Sequence, residues 1–221
     1  MLAIIPLRSG SKSIKNKNIK LLNKYPLAFY VIRACLESNL FKDVVVASDS
    51  SKYEKILRKY KQIEKFKFIK RPKSISKDLS PTEETIDLVL KKFPNYKTTF
   101  LVQATSPLIE SIDINSAKKT FVKEGCDSLF SAYKFKKFYW TKNVKTISHS
   151  YDFKNRPMRQ KFKGGFVENG ALYVFDTQKY LKYRNRLFGK IGVYKMPEFK
   201  SIDIDTIDDF KKASKILKEA H

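Results

Sequence analysis

MLAIIPLRSGSKSIKNKNIK, residues 1–20, holds the reading that decides the fold. Leu2 to Leu7 is a short apolar run that reads as a buried strand. It breaks at once into a cationic loop carrying Arg8, Ser9, Gly10, Ser11, Lys12, Lys15, Lys17 and Asn18. Backbone amides and a glycine in such a loop can wrap phosphates, and the cations can neutralise them. The other reading of the same residues is a solvated basic turn after a core strand. Neither GxxxxGK[ST] nor GxGxxG occurs in this stretch, so neither phosphate-loop label applies.

Outward from this stretch, strand-like and helix-like segments alternate. Residues 26–39 (PLAFYVIRACLESN) place Leu27, Tyr30, Val31, Ala34 and Cys35 on one helical face. Residues 43–50 (DVVVASDS) carry a continuous β-branched run, as in a strand covered on both faces. Asp49 follows that strand and reads either as a ligand contact or, the favoured reading, as a cap for a helix over 51–60. A short strand at 66–70 leads to a loop in which Arg71, Ser80 and Thr82 are candidate donors, although Ser80 also suits a helix cap before a helix over 81–93. TTFLV, 98–102, is a further strand, and it runs into Gln103, Thr105 and Ser106 before a helix over 111–124. Residues 127–133 make a fifth strand. This order predicts an α/β fold with a doubly wound, mostly parallel sheet and a ligand site at the carboxyl ends of its strands.

The period fails between Lys134 and Glu168, which reads as an aromatic-rich excursion suited to a subunit interface. Its mixture of rings and cations also suits single-stranded nucleic acid. Strand (169–176), helix (177–183) and strand patterns then resume. Residues 201–205 (SIDID) alternate polar and apolar, as in an extended strand, and a helix begins near Thr206 with Asp208 and Asp209 in its first turn. Asp203 and Asp205 are two residues apart, so in an extended chain they face one side. Two carboxylates at that spacing suit Mg²⁺, which completes its shell with substrate phosphates. A helix cap explains Asp205 but not Asp203.

The totals bound these readings. At 221 residues and 42% hydrophobic content, the chain fits one α/β domain over 1–221 with the excursion about 134–168 inserted in it. No apolar run is long enough to span a bilayer, and the first strand has no charged leader before it, which predicts no signal peptide. Cys35 and Cys126 have no CxxC spacing, fit buried hydrophobes and suit a reducing cytoplasm. The 46 basic against 22 acidic residues give a net charge of +24. That lysine excess is spread from end to end rather than gathered in a patch, which disfavours a dedicated nucleic-acid surface, while a positive field attracts anionic small substrates.

Four stretches, IIPLRSGSKSIKNKNIK, LVQATSPL (101–108), the region from Arg159 to Phe175 and SIDIDT (201–206), resemble, in order, the motifs of the CMP-sialic acid synthetase family. The resemblance covers nearly the whole chain. It implies a homodimeric cytidylyltransferase that uses Mg²⁺. In such an enzyme the anomeric hydroxyl of a nine-carbon nonulosonic acid, of sialic, legionaminic or pseudaminic type, attacks the α-phosphorus of CTP. Matched position by position, Arg8, Ser11, Lys12, Lys17 and Asn18 fall on the loop for triphosphate and cytosine. Arg71, Ser80 and Thr82 fall on a second nucleotide-contacting loop. Gln103, Thr105, Ser106, Arg159, Gln160 and Asn169 fall toward the sugar, and Asp203 and Asp205 on the metal carboxylates. Among these, Arg8, Lys17, Asp203 and Asp205 are the implied catalytic set. By that resemblance, many relatives carry arginine where this chain has Ile109, and some carry it where this chain has Val167. His149 and His221 match no general base. The eight-carbon KDO cytidylyltransferases are the alternative, disfavoured by the KNKNIK run, and a nucleic-acid-binding protein is the third reading.

Overall fold

A computed structural model describes residues 1–77, 79–142 and 145–219, so His221 lies outside the described residues. The first strand, β1 (Leu2–Leu7), is followed by the ribbon β2 (Leu21–Leu22) and β3 (Tyr25–Pro26), then α1 (Leu27–Glu37) and β4 (Asp43–Ser48). Next come α2 (Ser51–Leu57), β5 (Lys67–Lys70), α3 (Thr82–Lys92), β6 (Thr98–Val102), α4 (Ser111–Lys123) and β7 (Ser128–Phe135). A small hairpin, β8 (Trp140–Lys142) and β9 (Thr146–Ser148), precedes β10 (Gly165–Asp176), α5 (Thr177–Tyr183), β11 (Ile191–Lys195) and α6 (Ile207–Glu219).

Seven strands form the central sheet in the order β11-β7-β10-β6-β1-β4-β5. Its pairings are parallel except where β10 inserts antiparallel between β6 and β7. Alternation along β1 explains why both faces are apolar. Ala3, Ile5 and Leu7 pack on one side, with α1, Tyr53 and Leu57 of α2, Ile114 of α4 and Phe210 of α6. Leu2 and Ile4 pack on the other, with Ile86, Val89 and Leu90 of α3 and Tyr180 of α5. This is the doubly wound arrangement expected.

Several local expectations change. The strand expected over 169–176 begins at Gly165, so the aromatic excursion feeds directly into the sheet. The segment 201–205 is not a strand: its neighbours across the edge are the Thr105 carbonyl and the Lys17 side chain, with no ladder. Neither Asp49 nor Ser80 caps a helix. Ser50 and Pro81 occupy the two cap positions, and neither helix has a side-chain cap bond. The start of α6 is instead closed by Thr206 and Asp209, whose side chains bond each other's backbone N–H at 2.9 and 3.2 Å.

Register slips between Glu168 and Tyr173, where β10 bulges against β7. Gly170 supplies a φ of 68°, which side-chain-bearing residues rarely adopt. Ser131 fills the gap from β7: its hydroxyl donates to Asn169 Oδ1 at 2.6 Å and accepts from the Leu172 N–H at 2.9 Å. Replacing Ser131 by alanine strands the buried Leu172 N–H and leaves Asn169 Oδ1 only the longer bond from the Ala171 N–H, at 3.2 Å. Ser131→Ala is expected to lower stability by about 1–3 kcal/mol in urea unfolding, with the loss confined to stability and not to the slope of the transition.

Candidate functional site

The strands β1, β4, β5 and β6 run parallel, so their carboxyl ends lie along one edge, and the loops that leave them meet there. The loop after β1 folds back on itself. Asn16 takes the left-handed conformation (φ 54°) and opens a short 3-10 turn over Lys17–Ile19, while buried Ile14 anchors the middle of the loop. The turn brings Lys17 and Asn18 inward, and both are buried. Asn18 Nδ2 donates to the Arg8 carbonyl at 2.9 Å, which closes the loop's base.

Lys17 makes the longest-range contact of the site. Its ammonium donates to the Ile204 carbonyl at 2.5 Å and lies 3.2 Å from Asp205 Oδ1. Ile204 is also held from the other side, since its N–H donates to the Thr105 carbonyl at 2.8 Å. The C-terminal segment therefore crosses the sheet edge between the loops after β1 and β6. This leaves Asp203 in the lining of a second cleft and Asp205 exposed beside Lys17, in the lining of neither.

Between these loops lies a cleft of about 200 Å³. Its wall combines Arg8, Ser11, Lys17 and Asn18 from the first loop, Arg71, Lys77, Ser80 and Thr82 from the loop after β5, and Gln103, Ala104 and Thr105 from the loop after β6. Pro6 and Thr85 complete it. Arg71 is buried, with Nη2 donating to the Ile75 carbonyl at 2.5 Å. Burial lowers the pKa of its guanidinium, Asp49 opposes that, and the charge of Arg8 adds to it. Among the described residues, Arg71 Nε, Asn18 Oδ1 and Thr85 Oγ1 are buried without a protein partner. These three residues line the cleft, and with Arg8 and Lys17 they give it a polar, cationic wall that suits an anionic ligand.

A second, shallower cleft lies beside it, lined by Tyr133, Val167, Glu168, Asn169, Gly170, Ser201 and Asp203. Asn169 is buried, with Nδ2 donating to Ser201 Oγ at 2.9 Å, so it ties the bulge to the C-terminal segment. Asp203 lines this second cleft and takes a hydrogen bond from the side chain of Thr105, which lines the first. Desolvation raises its carboxyl pKa, with the charge of Asp205 adding to the rise, while a hydrogen bond from Thr105 and the charge of Lys17 oppose it. Two carboxylates beside Lys17 could supply part of a Mg²⁺ shell, the rest of which substrate phosphates and water can supply. No group of three or more His, Cys, Asp or Glu is placed to hold a metal among the described residues.

The remaining sequence-derived candidates lie elsewhere. Lys12 is exposed and outside the lining of the first cleft. Ser106 is buried behind it, with no protein partner for its hydroxyl. Arg159 and Gln160 are exposed on a turn of the excursion and line neither cleft. Ile109, where arginine was expected, is buried in the core, and Val167 lines the second cleft. Sequence reasoning missed Lys77 and Thr85. Thr85 follows Thr82 by three residues on α3, so helical spacing alone could have placed it on the same face.

Comparison with known proteins adds the family. A family model described as Cytidylyltransferase matches residues 2–221. An N-acylneuraminate cytidylyltransferase from Oncorhynchus mykiss is 34% identical over 218 residues, covering 96% of this chain and 49% of that protein. The chain thus spans about half the length of that relative. Post-translational flagellin modification protein B from Campylobacter coli is 30% identical, covering 99% of this chain and 95% of that protein. The structure of a CMP:2-keto-3-deoxy-manno-octonic acid synthetase complexed with CTP superposes with a TM-score of 0.74 at 13% identity, covering 100% of this chain and 99% of that one, which shows a shared fold. No helix among the described residues is long and apolar enough to cross a membrane. From its first strand to its last helix, this chain belongs to the cytidylyltransferase family that includes the N-acylneuraminate cytidylyltransferases.

Proposed function

We propose that the chain transfers CMP from CTP to a nonulosonic acid and releases pyrophosphate. The observation that carries this reading is the cleft itself. Arg8, Lys17 and Arg71 converge on it from two separate loops, and Asp203 lines a second cleft. The triphosphate lies against Arg8, Ser11 and Lys17, with Lys12 reaching it from the exposed side of the same loop, and the nucleoside lies against Asn18, Arg71, Ser80 and Thr82. The sugar acid occupies the side of Gln103, Thr105, Ser106 and Asn169, and Arg159 and Gln160 approach it from the excursion or from a second subunit.

Transfer at phosphorus requires in-line placement and charge neutralisation more than covalent help. Arg8 and Lys17 neutralise the departing pyrophosphate, and the Lys17–Ile204 contact keeps that cation beside the carboxylates. Asp203 and Asp205 would hold Mg²⁺, which when bound supplies Lewis acidity where the phosphate and the attacking hydroxyl meet. Exposed Tyr139, Trp140, Ile147, Phe153 and Phe166 on and beside the excursion support a homodimer joined through 134–168. A cytoplasmic location fits two free cysteines and an abundant intracellular nucleotide substrate.

A coupled pyrophosphate assay tests the reading. Release is expected only with CTP and a nonulosonic acid together, to vanish with EDTA and to return with excess Mg²⁺. A panel of sialic, legionaminic and pseudaminic acids, with the eight-carbon KDO beside them, identifies the sugar; silence with all four would sink the proposal. Arg8→Ala and Asp205→Asn should each lower kcat/KM on the order of a hundredfold or more while leaving the thermal unfolding transition in place. Near-normal turnover in either variant would remove that residue from the site.

A further inference from the structure

Asp49 directly follows β4, which lies next to β1 in the sheet, and its side chain reaches across the carboxyl edge to the first residue after Arg8. Oδ1 accepts the Ser9 N–H at 2.9 Å and Oδ2 accepts the Ser9 hydroxyl at 2.5 Å. Tyr53 of α2 donates to the Ser9 carbonyl at 3.3 Å. Every polar atom of Ser9 is thus engaged by the β4–α2 corner. Ser9 lines no part of the cleft, yet Arg8 before it and Ser11 after it both do.

Charge gives Asp49 a second effect. Arg8 and Arg71 line one cleft and repel each other. Burial of Arg71 makes its charge costly, and of the two anions that favour it, Asp49 outweighs Glu84. Asp49 itself stands behind the wall and outside the lining.

We propose that Asp49 is the positioning residue of the nucleotide loop: by latching Ser9 and offsetting the Arg8–Arg71 repulsion, it holds the loop preformed for a triphosphate. This rests on the reading of the cleft as a CTP site. A preformed loop binds without the ordering cost that a free loop incurs. The alternative, a carboxylate that acts only by its nearby negative charge, predicts the opposite sign. On that view removing the charge would tighten the binding of an anion.

Asp49→Asn separates the two, because the amide is isosteric and Ser9 can reverse its hydroxyl bond to keep both contacts. Asp49→Ala removes latch and charge together. Two measurements apply to the full chain: the KM values for CTP and for the sugar acid, and amide hydrogen exchange over residues 9–16. Asp49→Ala is expected to raise the KM for CTP roughly tenfold or more, to leave that for the sugar within about twofold, and to speed loop exchange in the free protein roughly tenfold. Asp49→Asn is expected to weaken CTP binding by a smaller factor with little change in exchange. An unchanged or lowered KM for CTP in both variants, equal rises for both substrates, or wild-type exchange in Asp49→Ala each overturns the proposal while the CTP reading stands. A wild-type protein that neither binds CTP nor releases pyrophosphate overturns the CTP reading and the nucleotide part of the proposal, and the exchange data then decide the latch alone.

Discussion

The buried ammonium of Lys17 donates to the carbonyl of Ile204, which lies 187 positions further along the chain. Much of the cleft depends on that contact. A lysine is buried here only because its charge has two oxygen partners, the Ile204 carbonyl and the Asp205 carboxylate. The carbonyl is the firmer of the two, since Asp205 is largely exposed and solvent screens an exposed pair. The result is a closed circuit at the sheet edge. The loop after β1 holds Ile204, Ile204 holds Thr105, and Asp203 and Asp205 project on either side of Ile204.

The sheet makes this circuit possible. Strands β1, β4, β5 and β6 point one way, so every turn that leaves them emerges beside the others. The reversal of β10 returns the chain to the same edge at the bulge, where Asn169 meets Ser201. Polar groups from loops distant in sequence then face one another without a dedicated domain to carry them. The cationic excess of the chain gains a local meaning: the cations that line the cleft are those the loops fold inward, while most lysines remain on the outside.

Those features that rest on local chemistry were legible in the sequence. The β-branched run Val44–Val46, the apolar Leu2–Leu7 and the proline and acidic residues around 81–84 mark strands and a helix start through covalent preferences of a few neighbours. Arg8, Ser11, Lys17, Asn18, Arg71, Ser80, Thr82, Gln103 and Thr105 follow strand ends, and they converge for that reason. Asp49 was read as a helix cap because a carboxylate before a helix often is one. Its actual partner, Ser9, is 40 positions away and is set by the β1–β4 register, which no local pattern encodes. The extended form expected for 201–205 failed for a related reason. Alternation of polar and apolar residues marks which side chains turn inward, and Ile204 does turn inward, but the neighbouring backbone is a loop, so no ladder forms.

The insertion of β10 between β6 and β7 has a consequence for how the chain reaches this state. On emerging from a ribosome, β6 and β7 appear first, yet in the finished sheet they are not neighbours. The place between them stays open until residues 165–176 arrive, after the whole aromatic excursion has been made. Until then two strand edges and their apolar faces lack a partner, and each is a template for wrong pairing. The half built from β1, β4, β5 and β6 can form early from nearby segments, whereas closure of the other half waits on a late, long-range event. Vectorial synthesis therefore lays down the strands and loops that line the first cleft before those of the second, while the Lys17–Ile204 contact that closes the first comes later still.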